Sequence, residues 1–145
     1  MTNNNDLESL AATFHLHAEE EGKILAEYRK LAEKLGDSTV GFLVDHILTE
    51  EEMHHFLLRT MAKWLRERSA KLEGALPPDA DRAELLRLTQ DLRRHEEETI
   101  ATCRDLQSRL PKQHRILLGI MLDVVVSDSE KHHRLLRAVE KMIEA

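Results

Sequence analysis

An all-α protein, a four-helix bundle of two antiparallel helical hairpins, is what the sequence predicts. Three observations carry that expectation. Leu, Ala, Glu, Lys and Arg dominate, while aromatic residues make up only 3% of the chain, a composition of strong helix formers. Apolar residues recur at spacings of three and four over long stretches, the period of a helix face. The breakers Gly36, Pro77-Pro78 and Pro111 cut the 145 residues into four segments of helical length. That length suits a single domain with one core, here 1–145.

The elements follow in order. The first helix is expected over about 6–35 and stops at Gly36, a good residue just past a helix C-terminus. The second is expected over 38–68, capped by Asp37 or Ser38. A linker over 69–80 contains Pro77-Pro78 and cannot be helical throughout. The third, over 81–110, begins at Asp81 with Glu84 three residues on, the spacing of a capping box, and ends before Pro111. The fourth covers 112–144.

Charge and composition exclude several functions. Charged residues are 33% and the net charge is −6, which suits a soluble protein. It disfavours a nucleic-acid partner, and no basic stripe interleaved with aromatics occurs. No apolar run approaches the ~20 residues of a membrane span. The N-terminal stretch from Met1 to Asp6 is polar and lacks the pattern of a signal sequence. A single cysteine, Cys103, leaves no internal disulfide and no Cys-rich zinc site. A reduced, cytoplasmic setting is expected.

The chemistry sits in the acids and histidines. His17-Ala18-Glu19-Glu20-Glu21 lies upstream of Glu50-Glu51-Glu52-Met53-His54-His55, and His95-Glu96-Glu97-Glu98 upstream of Asp128-Ser129-Glu130-Lys131-His132-His133. A carboxylate and an imidazole three apart on a helix point the same way, one turn apart. The apolar stripes select among these residues. Leu10, Phe14, His17, Glu21, Ile24, Tyr28, Leu31 and Leu35 form the first stripe. Val40, Leu43, Ile47, Glu51, His54, Leu58, Met61 and Leu65 form the second. Leu85, Leu88, Leu92, Glu96, Thr99, Cys103, Leu106 and Leu110 form the third, and Leu118, Met121, Val125, Ser129, His132, Leu136, Val139 and Ile143 the fourth. Glu21, Glu51, His54, Glu96 and His132 therefore face inward. Ser129 stands where a fourth carboxylate is wanted. Either Glu130 or Asp128 substitutes, or the helix is rotated, or this half-site lacks the group. A rotated register would instead present Glu20, Glu52, His55, Glu98 and His133. His17 and Tyr28 lie one and two turns from Glu21, as supporting or packing residues, and Cys103 occupies the corresponding place after Glu96.

Residues at one height in an antiparallel hairpin are equidistant from its turn. Glu21 and the Glu51/His54 pair are centred near Gly36-Asp37, and Glu96 and His132 near Gln113. All four clusters should thus lie at one level. Buried carboxylates from separate helices repel one another and lose hydration unless a cation or several donors compensate. Residues 14–65 and 92–143 also resemble each other at an offset of 78, matching Phe14 to Leu92, His17 to His95 and His54 to His132. That pattern suggests a duplicated hairpin.

At these residues the chain resembles the ferritin-like superfamily, the group that includes rubrerythrins and bacterioferritins. An inward Glu with Tyr seven later, Glu51-x-x-His54 with Leu58, a second inward Glu, and His132 with Leu136 carry the resemblance over about 7–144. It implies two hairpins joined by a longer crossover and a site for two iron or manganese ions per chain. Glu21 and Glu96 would each serve one ion, Glu51 would bridge, and His54 and His132 would cap opposite ends. Ser129 departs from the pattern, with Glu130 as the substitute. The implied activity is that of a di-metal oxidase or peroxidase, or iron handling, with a small oxidant and an electron donor. A homo-oligomer, in the first place a dimer, is the expected assembly. The alternative is a non-catalytic ferritin-like scaffold or interaction module with a degenerate site. A hemerythrin-like bundle shares only the His46-x-x-x-Glu50 spacing.

Overall fold

The structure, a computed structural model, describes residues 4–67 and 76–145. It is helical, with no strand among the described residues: α1 is Asn4–Leu35, α2 Thr39–Glu67, α3 Arg82–Ser108 and α4 Arg115–Glu144, with a 3-10 turn at Lys112–His114 before α4. The expected boundaries agree within a few residues. The last expected residue of the second helix and linker residues 69–75 lie outside the described residues. The chain divides into two units, Met1–Ala75 and Leu76–Ala145. In the first, α1 packs on α2; in the second, α3 packs on α4.

Local chemistry sets each turn. Gly36 takes φ of 53°, a left-handed conformation that suits glycine, and its N–H donates to the Ala32 carbonyl at 3.0 Å. Ser38 caps α2 by accepting from the Gly41 N–H at 2.9 Å. A Cβ on Gly41 would collide with the Gly36 carbonyl oxygen, so the second helix starts this close to the turn only because Gly41 has no side chain. Asp81 caps α3 through the Glu84 N–H at 3.2 Å. At the second turn Pro111 precedes the 3-10 turn, which delays α4 to Arg115.

The seams between helices differ from the expected stripes by part of a turn. In the first hairpin the seam is Leu7, Ala11, Phe14, Ala18, Glu21, Leu25, Tyr28, Ala32 and Leu35 on α1, against Gly41, Val44, Leu48, Glu51, His55, Leu58, Ala62 and Leu65 on α2. From Phe14 on α1 and Glu51 on α2 onward, every second member was expected: Phe14, Glu21, Tyr28 and Leu35, and Glu51, Leu58 and Leu65. The members between them are mostly small. Ala11, Ala18, Gly41 and Ala62 are buried and let the two backbones approach. The bulkier half of each expected stripe lies beside the seam. Leu10, Ile24, Leu31, Val40 and Ile47 are exposed in the first hairpin, as are Leu92, Leu106, Leu118, Val125 and Val139 in the second. Each hairpin therefore presents a second apolar row that its own seam does not cover.

The second hairpin has the more polar seam. Arg93 donates to the Glu140 carboxylate at 2.9 Å, with Glu140 well buried. Gln107 donates to the Gly119 carbonyl at 3.2 Å and to Asp123. Thr89 and Ser129 are buried. Glu21 and Glu96 hold equivalent seam positions, as do Glu51 and Ser129. The first arms therefore match at an offset of 75, not 78, and the second arms at 78. The extra three residues lie in the Pro111 turn, and the pairing of His17 with His95 is lost.

Candidate metal centre

In the first hairpin three expected donors converge. One ligand atom each from Glu21, Glu51 and His54 lies within 4.8 Å of the others. Glu21 comes from the middle of α1 and Glu51 from the middle of α2, because both occupy seam positions at one height. His54 follows Glu51 by one turn and sets Nδ1 3.7 Å from its carboxylate. The two glutamates are half-buried and His54 is exposed at the edge of the seam.

Electrostatics follow from that arrangement. Glu21 titrates above its ordinary value: it shares a hydrogen bond with the Glu51 carboxyl, burial opposes its charge, and the Glu51 charge repels it, while His17 and His54 pull the other way. Without a cation, Glu21 holds its proton more tightly than a lone carboxylate would. A divalent ion in place of that proton would satisfy both oxygens, and the mix of carboxylate and imidazole suits manganese and iron. The donors present thus fit such an ion.

The second hairpin brings together less. His132 Nδ1 is 3.5 Å from the half-buried Glu96 carboxylate. Ser129 is buried at the position of Glu51 and brings no carboxylate. Glu130 does not substitute: its carboxylate accepts from Arg104 at 3.0 Å, on the flank of the hairpin. Asp128 is engaged by Lys131 at 3.2 Å.

The rotated register is not assembled as a donor set. Glu20 is exposed and pairs with His17 at 3.6 Å. Glu52 pairs with Arg29 at 3.3 Å across the hairpin, and Glu98 is exposed. His55 and His133 do enter the seams. His133 meets Glu97 at 2.9 Å. His55 lies against Gly22, where a Cβ would meet the ring at an ordinary 3.5 Å, and its Nδ1 is buried without a partner. Stripe reasoning placed these two seam histidines outside. The signal was available in the small residues, since a seam drawn through Ala11, Ala18 and Ala62 carries His55. Tyr28 and Cys103 pack in the seams, and Cys103 is buried. His46 and Glu50 form an i,i+4 pair at 3.4 Å on α2, away from Glu21 and Glu51.

Among the described residues no helix is long and apolar enough to cross a membrane. No family model, curated protein or solved structure matches the chain.

Proposed function

We propose that the chain is a metal-binding protein of the ferritin-like kind, holding iron or manganese through Glu21, Glu51 and His54. One observation carries this reading: two glutamates from different helices face each other in a half-buried seam with an imidazole one turn away. Two facing carboxylates are costly there unless a cation neutralises them. Glu21 and Glu51 would hold the ion from the two helices, and His54 would close the solvent side. Glu96 and His132 meet with no second carboxylate at 129, where Ser129 stands, and are not part of this donor set. A redox-active ion at such a site supplies electron transfer to a small oxidant such as oxygen or peroxide, the basis for an oxidase, peroxidase or iron-handling role in the cytoplasm. His17 pairs with Glu20 at the rim at 3.6 Å and would support the site from outside the donor set.

The test is elemental analysis after loading with Mn(II) or Fe(II) and gel filtration, repeated on Glu51→Ala. Retained metal in the native chain and its loss in the variant are expected. No metal above that of a buffer control would overturn the reading. A second reading, a non-catalytic scaffold with a degenerate site, is favoured by one observation: Ser129 is buried where the matching carboxylate would stand. Metal uptake without any oxidation of Fe(II) above the buffer rate would select it over the oxidase.

A further inference from the structure

We propose that the face of the first hairpin carrying Glu21, Glu51 and His54 docks on the same face of a second copy of this chain, which completes a two-ion site across a two-fold axis. The proposal rests on the metal-binding reading above and names the partner that finishes the site.

The donor set points to self-association. A two-ion carboxylate site in a helical bundle takes one Glu from each of two helices and Glu-x-x-His from each of two others. The first hairpin offers one of each: Glu21 on α1 and Glu51-x-x-His54 on α2. Two copies therefore supply the whole set. The second hairpin cannot complete it, because Ser129 replaces the carboxylate and Glu130 is held by Arg104. Charge leads to the same partner. Two divalent cations carry four positive charges, which Glu21 and Glu51 from two copies neutralise. Glu21, Glu51 and Glu96 of a single chain leave one positive charge over.

Position along the helices permits the contact. About a two-fold axis perpendicular to the helices, each helix runs antiparallel to its copy, and a residue meets its counterpart where the axis crosses, which for fully overlapping helices is the helix midpoint. The midpoints of Asn4–Leu35 and Thr39–Glu67 fall within about two residues of Glu21, Glu51 and His54. The covering surface is also present. Leu10, Ile24, Leu31, Val40 and Ile47 are 40–57% exposed and flank the donors on this side of the seam. In an isologous contact the same row meets itself, so it excludes water from the site on both copies at once.

Sedimentation equilibrium with elemental analysis on the full chain, chelated and then loaded with Mn(II), tests this. The Mn-loaded chain is expected at the mass of two copies with one Mn per chain. Glu51→Ala should lose the Mn, with Glu51→Gln as the near-isosteric check if helicity falls. Glu96→Ala and His132→Ala should keep both the Mn and the mass of two copies. Mn bound by a single copy overturns the proposal. So does a loss of Mn in His132→Ala or Glu96→Ala as complete as in Glu51→Ala, which would make the second hairpin of the same chain the occupant. A native chain that binds no Mn overturns the metal-binding reading itself, and the proposal with it.

Discussion

Replacing Glu21 by Gln isolates the electrostatic cost built into the first hairpin. The donor atoms lie within 4.8 Å of each other. At that separation two unit charges repel by about 3.5 kcal/mol for an effective dielectric of about 20, and by about 0.9 kcal/mol in bulk water. The glutamates are half-buried, so the working value lies between these limits, about 1–2 kcal/mol after solvent screening. Glu21 titrates above its ordinary value of 4.5. A group with a raised folded-state pKa contributes stability that is full below its unfolded value and is lost as pH rises through the folded value. In chelator, then, the native chain should lose this contribution as pH rises through the raised Glu21 value, above 4.5. Glu21→Gln keeps a hydrogen-bond donor for Glu51 and removes the repulsion. Urea denaturation in chelator should show the variant more stable by about 1–2 kcal/mol near pH 8 and nearly equal to the native chain near pH 4. With Mn(II) added at neutral pH the order should reverse, because only the native chain gains binding energy. Equal stability near pH 8, or the same gain at both pH values, would refute the reasoning.

Further outcomes follow from other contacts. Gly41→Ala should destabilise the first hairpin by about 2 kcal/mol or more in denaturant, because the new methyl meets the Gly36 carbonyl oxygen, whereas Gly22→Ala, facing open contact with His55 at 3.5 Å, should be neutral or stabilising. Arg93→Ala should cost about 1–3 kcal/mol by leaving Glu140 without its partner, and adding Glu140→Ala should recover part of that in a double-mutant cycle. Ser129→Glu should lower the thermal midpoint in chelator, since the site is buried, and raise the metal content per chain by elemental analysis once Mn(II) is supplied.

The helices and their ends were legible because their causes are local. Gly36, Ser38, Asp81 and Pro111 act within four residues of themselves, and each does what its chemistry predicts. The seam places of Glu21, Glu51 and Glu96 were legible for a related reason. They lie on seam positions shared by the expected stripe and the observed one, so a small rotation leaves them inside. The rest of each stripe was misplaced because bulky residues signal a core while small ones set how closely two helices approach. Ala11, Ala18 and Ala62 read as neutral in sequence and prove to be the line of closest contact. The fate of Glu130 was beyond local reasoning: Arg104, which holds it, sits 26 residues away on another helix. His133 likewise meets Glu97 only through the pairing of α3 with α4.

The serine at 129 divides the chain into an independent half and a conditional one. With a neutral hydroxyl at 129 and Arg93 tying Glu140 across the seam, the later hairpin sets no carboxylate at the place matching Glu51. The earlier hairpin opposes Glu21 to Glu51, so on the proposed metal-binding reading its cohesion would follow the supply of divalent ions. Amide exchange in chelator should therefore run faster through α1 and α2 than through α3 and α4, with the gap closing when Mn(II) is restored.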